Sequence, residues 1–239
     1  MKNAIVTGAT RGIGLATAEM LLKEGYHVTV TYAYDEASVE PCKARLSAIS
    51  EAFEIVWADQ TNKEEMHEFA LKMRQKGHID CLVCNAGMTL RNSLQDIVEE
   101  DWEKVMQMNV NSNVYLIRDL FDVIPNDSRI VFTGSLMGIL PHSVSLSYGV
   151  TKAAVMALAK NLVKCFEGTG TTVNAIAPGF VETEWQKDKP LEIRNNIYNK
   201  TAIKRFADPA EIADAVRFCI NNAFVNGSII EVSGGYCFK

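Results

Sequence analysis

Asn3-Ala4-Ile5-Val6-Thr7-Gly8-Ala9-Thr10-Arg11-Gly12-Ile13-Gly14 joins a short apolar run to a glycine-rich turn, and its reading decides the fold. Asn3 to Thr7 has the length of a buried strand. Beyond Gly14 an amphipathic pattern runs to about Glu24, and Gly25 stops it. A strand that enters a helix through glycines lets the backbone approach a pyrophosphate, with the helix N-terminus facing it. Gly8, Gly12 and Gly14 are the first candidate binding residues, with Thr10, Arg11 and Ile13 between them. A glycine loop alone is a weak signal, so the rest of the chain has to supply its partners.

The strand and helix signals keep alternating. His27 to Tyr32 reads as a second strand and Phe53 to Ala58 as a third. Between them Glu36 to Ser50 is helical, with Pro41 in a first turn or at a kink. Asn62 to Lys76 is a helix stopped by Gly77, Ile79 to Cys84 a strand, and about Glu99 to Phe121 one long helix. Arg129 to Thr133 is the fifth strand, and Thr172 to Ala177 the sixth, broken by Pro178-Gly179. Asp208-Pro209-Ala210-Glu211 has an N-cap, a first-position proline and a capping-box glutamate. Asn226-Gly227 turns into a last strand, Ser228 to Val232.

Apolar runs separated by helices call for right-handed crossovers and a parallel sheet covered on both faces. The expected architecture is one α/β domain over residues 1–239, a doubly wound Rossmann-type sheet whose ligands bind beyond the carboxyl ends of the strands. That rim collects Asp59 and Gln60, then Asn85-Ala86-Gly87, Ser135 and Pro178-Gly179.

The chemistry is expected between Ser135 and Lys152. After Tyr148, the residues Ala153, Ala154, Val155, Ala157, Leu158 and Leu162 give a helical pattern, so Tyr148 and Lys152 share a face one turn apart. Lowering a phenol from about 10 by ~3 pH units takes roughly 4 kcal/mol. A unit positive charge about 5 Å away supplies ~3 kcal/mol at an effective dielectric near 20. Lysine is thus expected to make the tyrosine a usable acid. His142, in the loop between, is expected at most to line a substrate cleft.

Composition narrows the rest. The 239 residues, 48% hydrophobic, are enough for an ample core. A net charge of −5 gives no general attraction for nucleic acid or an anionic membrane. No apolar run approaches the ~20 residues that span a bilayer, and no signal peptide is expected at the start. Six scattered cysteines suit a reducing cytoplasm. Cys81 and Cys84 invite a redox or zinc reading, but in a strand they face opposite ways, so core packing is expected and no metal.

Taken together, Thr7-Gly8-Ala9-Thr10-Arg11-Gly12-Ile13-Gly14, Asn85-Ala86-Gly87, Asn109, Ser135, Tyr148, Lys152 and Pro178-Gly179 resemble the single-domain short-chain dehydrogenases/reductases. From Asn85-Ala86-Gly87-Met88-Thr89 through Ala177-Pro178-Gly179-Phe180-Val181-Glu182-Thr183 the chain looks most like the 3-oxoacyl-[acyl-carrier-protein] reductases. The resemblance implies that Tyr148 protonates a substrate carbonyl as hydride leaves a nicotinamide, while Ser135 hydrogen-bonds the same oxygen. It also implies that Lys152 holds the nicotinamide ribose, and that Asn109 anchors a water relaying protons through Lys152. Ile13 and the glycines would cradle the pyrophosphate. Asp59 would meet the adenine, Asn85 would lie by the adenosine ribose, and Val181 and Thr183 would hold the carboxamide. Trp185 falls where the family carries a mobile lid.

NADPH is expected over NADH, with NAD not excluded. Thr31-Tyr32-Ala33 offers no acidic residue at the end of the second strand, Asp35 comes too late to match, and Arg11 brings a cation. The resemblance further implies a homotetramer, with Ala153, Ala154 and Ala157 allowing close helix approach and an aromatic tail, Gly234 to Phe238, needing cover. Where relatives place bases to dock acyl carrier protein, this chain has Asn126 and Thr169, with Arg129 and Lys164 nearby. A small-molecule or thioester carbonyl substrate with weak carrier dependence follows. Two other classes compete. A cofactor-sensing regulator would not need Ser135, Tyr148 and Lys152 intact. Sugar-nucleotide epimerases carry a substantial C-terminal substrate domain, whereas this chain ends seven residues after Val232.

Overall fold

The computed structural model describes residues 1–141 and 145–236. His142 and the end of the aromatic tail, Cys237 and Phe238, lie outside the described residues.

Seven strands form one parallel sheet: β1 (Asn3–Val6), β2 (His27–Tyr32), β3 (Phe53–Trp57), β4 (Cys81–Cys84), β5 (Arg129–Thr133), β6 (Thr172–Pro178) and β7 (Ile229–Val232). Their order across the sheet is β3-β2-β1-β4-β5-β6-β7, the doubly wound arrangement expected. Strand β1 pairs with both β2 and β4, in registers that set Ile5 against Thr29 and Leu82. The winding therefore reverses at β1, where a crevice opens beyond the carboxyl ends.

Each strand feeds two cores because its side chains alternate. Ala4, Val6, Cys81, Val83, Val131 and Ile176 point to the face covered by α1 (Gly12–Lys23), α2 (Val39–Ser47) and α8 (Pro209–Asn221). Ile5, Leu82, Cys84, Ile130, Phe132 and Ala175 point to the face covered by α3 (Lys63–Lys76) and α5 (Ser112–Leu120), with α6 (Leu146–Leu162) beside them. Cys81 and Cys84 thus serve opposite cores, and burial pushes the Cys81 thiol up to about 12.

The local signals act as read. Asn62 caps α3 by accepting from the Glu64 and Glu65 N–H groups. Asp208 and Glu211 form the reciprocal capping box of α8, behind Pro209. Two helical segments differ from expectation. The one after β2 opens as a tight turn, Glu36–Ser38, before α2, which places Pro41 in the first α-helical turn, where its missing N–H costs no bond. The long helix from Glu99 is broken. Between α4 (Glu99–Met106) and α5 lies one wide π-type turn, Gln107–Asn111, whose side chains Gln107 and Asn109 are buried. The extra residue rotates these amides inward, away from the surface that a regular helix would give them. A further helix, α7 (Leu191–Lys200), follows the segment after β6.

Candidate active site

The glycine turn is shaped by what lies against it. Gly8 has φ +60°, and a β-carbon there would come 2.9 Å from Ala86 Cα. On Gly14 it would lie 2.6 Å from both Asn85 Nδ2 and the Gly8 carbonyl oxygen. Arg11 sits at the N-cap of α1 with no side-chain hydrogen bond to the helix start, and the first turn contains no acidic residue. These N–H groups are thus available to an anion. The cradle fits the pyrophosphate of a dinucleotide.

Three strand ends are tied together beside this turn. The Asn85 amide donates to the carbonyls of Thr7 and Gly8 at 3.0 Å each and accepts from the Thr133 hydroxyl at 3.2 Å. The Thr7 hydroxyl accepts the N–H groups of Asn85 and Ala86, each at 3.0 Å. Asn85 therefore spends its amide on holding the rim. The segment after β6 closes the other side. Gly179 N–H donates to Val232 O at 2.9 Å, Val181 bridges to Ala207, and Thr183 Cγ2 would lie 3.3 Å from a β-carbon on Gly12.

Ser135 follows β5, and its hydroxyl accepts the Met137 N–H at 3.1 Å and stands near enough to the Tyr148 phenol to favour its ionised form. Tyr148 lies in the first turn of α6. Lys152, 4% exposed, donates to the Thr133 carbonyl at 2.6 Å, and its ammonium lies 5.5 Å from the centre of the Tyr148 ring. A β-carbon on Gly87 would be 3.3 Å from Lys152 Nζ, so the fourth strand's end opens directly onto the lysine. Burial pushes the Tyr148 phenol up to about 12, with Ser135 pulling the other way. Burial also brings the Lys152 ammonium down to about 8. The expected lowering of the phenol by lysine is therefore not what this arrangement gives. Desolvation dominates both groups, and it keeps the tyrosine protonated at neutral pH.

Asn109, 1% exposed, sits in the wide turn. Its Oδ1 accepts the Met88 N–H at 2.8 Å, and its Nδ2 donates to Met88 O and Thr151 Oγ1, both at 2.9 Å. The amide thus clamps the loop after β4 to α6, one residue before Lys152. Its own backbone carbonyl accepts from the Asn113 side chain at 2.7 Å.

The remaining sequence candidates separate. Asp59 stands at the rim, where its carboxylate accepts from Tyr34 and Thr61. Gln60 turns inward instead, donating to Ser112 Oγ at 2.7 Å. Trp185, 47% exposed, meets the Tyr148 ring edge-on at 6.1 Å, so the segment after Thr183 does reach the tyrosine. Two residues went unread, Thr151 and Tyr34. Asp35 was set aside as coming too late to match, although an acidic residue about twenty positions beyond the glycines is a usable signal.

Lys152 makes stability depend on pH. Between about 8, where the buried ammonium loses its proton, and the ordinary lysine value, the unfolded chain holds a proton that the native protein lacks. Stability therefore rises with pH across that window, by about 3 kcal/mol when complete. Urea unfolding of wild type and Lys152→Met, compared from about pH 7 to about pH 10, should show wild type gaining on the variant. A constant difference would mean that the lysine stays fully charged.

A model of the short chain dehydrogenase family matches residues 2–193. The 3-oxoacyl-[acyl-carrier-protein] reductase FabG of Staphylococcus epidermidis is 30% identical, with 98% of each chain covered. The FabG of Vibrio cholerae is 32% identical over 98% of this chain and 96% of that one. Among solved structures, the Pseudomonas aeruginosa RhlG/NADP active-site complex superposes with a TM-score of 0.90 at 28% identity, covering 98% of this chain and 95% of that chain. With the glycine cradle, the doubly wound sheet and this match in hand, the chain belongs to the short-chain dehydrogenase/reductase family and is an NAD(P)-dependent oxidoreductase.

Proposed function

We propose that this protein reduces the β-carbonyl of a 3-oxoacyl thioester, or a closely similar ketone, to the alcohol with NADPH. One observation carries the reaction: a protonated, half-buried Tyr148 shares a site with the Ser135 hydroxyl and the Lys152 ammonium, at the rim that holds the glycine cradle. The thioester is favoured by the relatives named 3-oxoacyl-[acyl-carrier-protein] reductase at 30–32% identity over nearly the whole chain. NADP(H) is the cofactor, in keeping with the RhlG complex and with a Burkholderia cenocepacia short chain dehydrogenase solved with NADP.

NADPH, when bound, supplies the hydride. The chain's own residues do the rest. Tyr148 gives its proton to the substrate oxygen, which is how a phenol held near 12 is useful: it reaches the site loaded at neutral pH. Ser135 donates to the same oxygen and stabilises its growing charge. Lys152, charged below about pH 8, holds ribose hydroxyls and passes protons toward Tyr148. Asn109 anchors a water on that route. Gly8, Gly12, Ile13 and Gly14 present the helix start to the pyrophosphate. Asp59 and Asn85 border the adenosine, and Ala86 and Gly87 form the floor. Pro178, Gly179, Val181 and Thr183 flank the carboxamide, with Trp185 over the tyrosine.

Carrier protein is not required in this reading. The Arg129 guanidinium is spent on the carbonyls of Ile220, Asp127 and Ser128 at 2.8–2.9 Å, and Lys164 faces Glu167 at 3.4 Å. Arg129 also begins β5, at the end of the sheet opposite the site. The whole chain works as one cytoplasmic domain and assembles as a homotetramer. Exposed Val114, Val150, Ala153 and Ala157 on α5 and α6, and Phe218 and Phe224 near the end of α8, offer apolar surface for two kinds of contact.

Tyr148→Phe should keep NADPH binding and lose at least about a hundredfold in turnover; retention of most activity would assign the acid to another group. An acetoacetyl group presented on carrier protein, on coenzyme A and as a simple ester should be reduced at rates within about tenfold, with little salt sensitivity. A large, salt-sensitive advantage for the carrier-bound form would instead make docking to the acidic carrier part of the function. Light scattering at micromolar concentration should give a tetramer mass, and a monomer mass would refute the assembly.

A further inference from the structure

The loop after β2 reaches back over the glycine turn. Asp35 stands three residues beyond the end of β2, yet its Oδ2 accepts the Thr10 hydroxyl at 2.5 Å and lies 3.5 Å from Arg11 Nε. Thr10 is buried and the Asp35 side chain is 20% exposed, so the contact is partly shielded from water. One residue earlier, the Tyr34 hydroxyl donates to the Asp59 carboxylate, and Trp57 Nε1 donates to Ala33 O at 3.2 Å. The loop is therefore fastened on two sides, to the glycine turn and to β3 with the residues that follow it.

In a doubly wound sheet the adenosine ribose lies beside this strand end. NADPH and NADH differ only at the 2′ position of that ribose, a phosphate in one and a hydroxyl in the other. A carboxylate accepts a hydrogen bond from a hydroxyl but repels a phosphate. Arg11 is the cation suited to the phosphate, and here it is already engaged by Asp35.

We infer that Asp35 is a specificity-determining residue of this site, whose carboxylate competes with the 2′-phosphate for Arg11 and narrows the margin by which NADPH is preferred to NADH. The inference rests on the proposed use of a nicotinamide dinucleotide. Asp35→Asn keeps the shape and an acceptor for Thr10 while removing the charge.

The test is equilibrium binding. Dissociation constants for NADPH, NADH, 2′,5′-ADP and 5′-AMP are measured by calorimetry on wild type, Asp35→Asn, Arg11→Ala and the double variant. Asp35→Asn should tighten NADPH and 2′,5′-ADP roughly fivefold or more, as expected for one partly exposed charge, and should move NADH and 5′-AMP by less than about twofold. Arg11→Ala should erode the NADPH preference, and in that background the gain from Asp35→Asn should fall by half or more, because the two side chains act through one another. An unchanged NADPH to NADH ratio, or weaker NADPH binding in Asp35→Asn, overturns the inference while leaving the cofactor reading intact. The latter result would make Asp35 a support that aims Arg11 at the phosphate. If wild type binds neither dinucleotide, the cofactor reading falls and the inference falls with it.

Discussion

The Asn85 side chain is the tie on which the site depends. Its three hydrogen bonds join the ends of β1, β4 and β5 where the winding of the sheet reverses. Parallel strands splay at such a point, because their crossover helices leave on opposite faces, and the carbonyls of Thr7 and Gly8 at the strand end would otherwise lack this donor. An amide fills this role because it donates twice and accepts once in one plane. Its closeness excludes a β-carbon at Gly14, so the helix start is drawn tight against the strand ends. Sheet, cradle and lysine pocket then share one rigid frame.

The second frame is built by Asn109 and the wide turn around it. A regular helix through Gln107–Asn111 would distribute its amides around the axis. The added residue collects them inward, where Asn109 links Met88 to Thr151 and Gln60 reaches Ser112. Buried polar groups of this kind lower the free energy only when bonded, and otherwise cost about 1–3 kcal/mol each. The loop after β4 and the start of α6 are consequently held at a fixed separation, and that separation sets where Lys152 lies relative to Gly87.

Within these frames desolvation governs the chemistry. It raises the Tyr148 phenol, which stays protonated, and lowers the Lys152 ammonium to about 8, within reach of neutral pH. The stabilisation forgone by burying a lysine is the kind of local expense that marks functional sites. The Ser135 hydroxyl near the phenol pulls the other way, against desolvation.

The sequence determined what local pattern and backbone stereochemistry can determine. Apolar runs such as Arg129–Thr133 and Thr172–Pro178 specify buried parallel strands, Gly8 and Gly12 specify a turn, and Asp208 with Glu211 specifies a helix start. These signals lie within a few residues of one another, so the doubly wound sheet and the residues at its rim could be read directly. The tertiary structure alone decided the rest. The break at Gln107–Asn111, the edge of Trp185 on Tyr148 and the return of Asp35 to Thr10 and Arg11 join segments far apart in the chain. Asp35 looked too distant from β2 because residue spacing measures position along a strand, whereas a loop can fold back on its neighbour. The lysine and tyrosine looked like a simple charge pair because spacing carries no record of solvent. Burial is a property of the assembled fold, and here it outweighs the pair interaction.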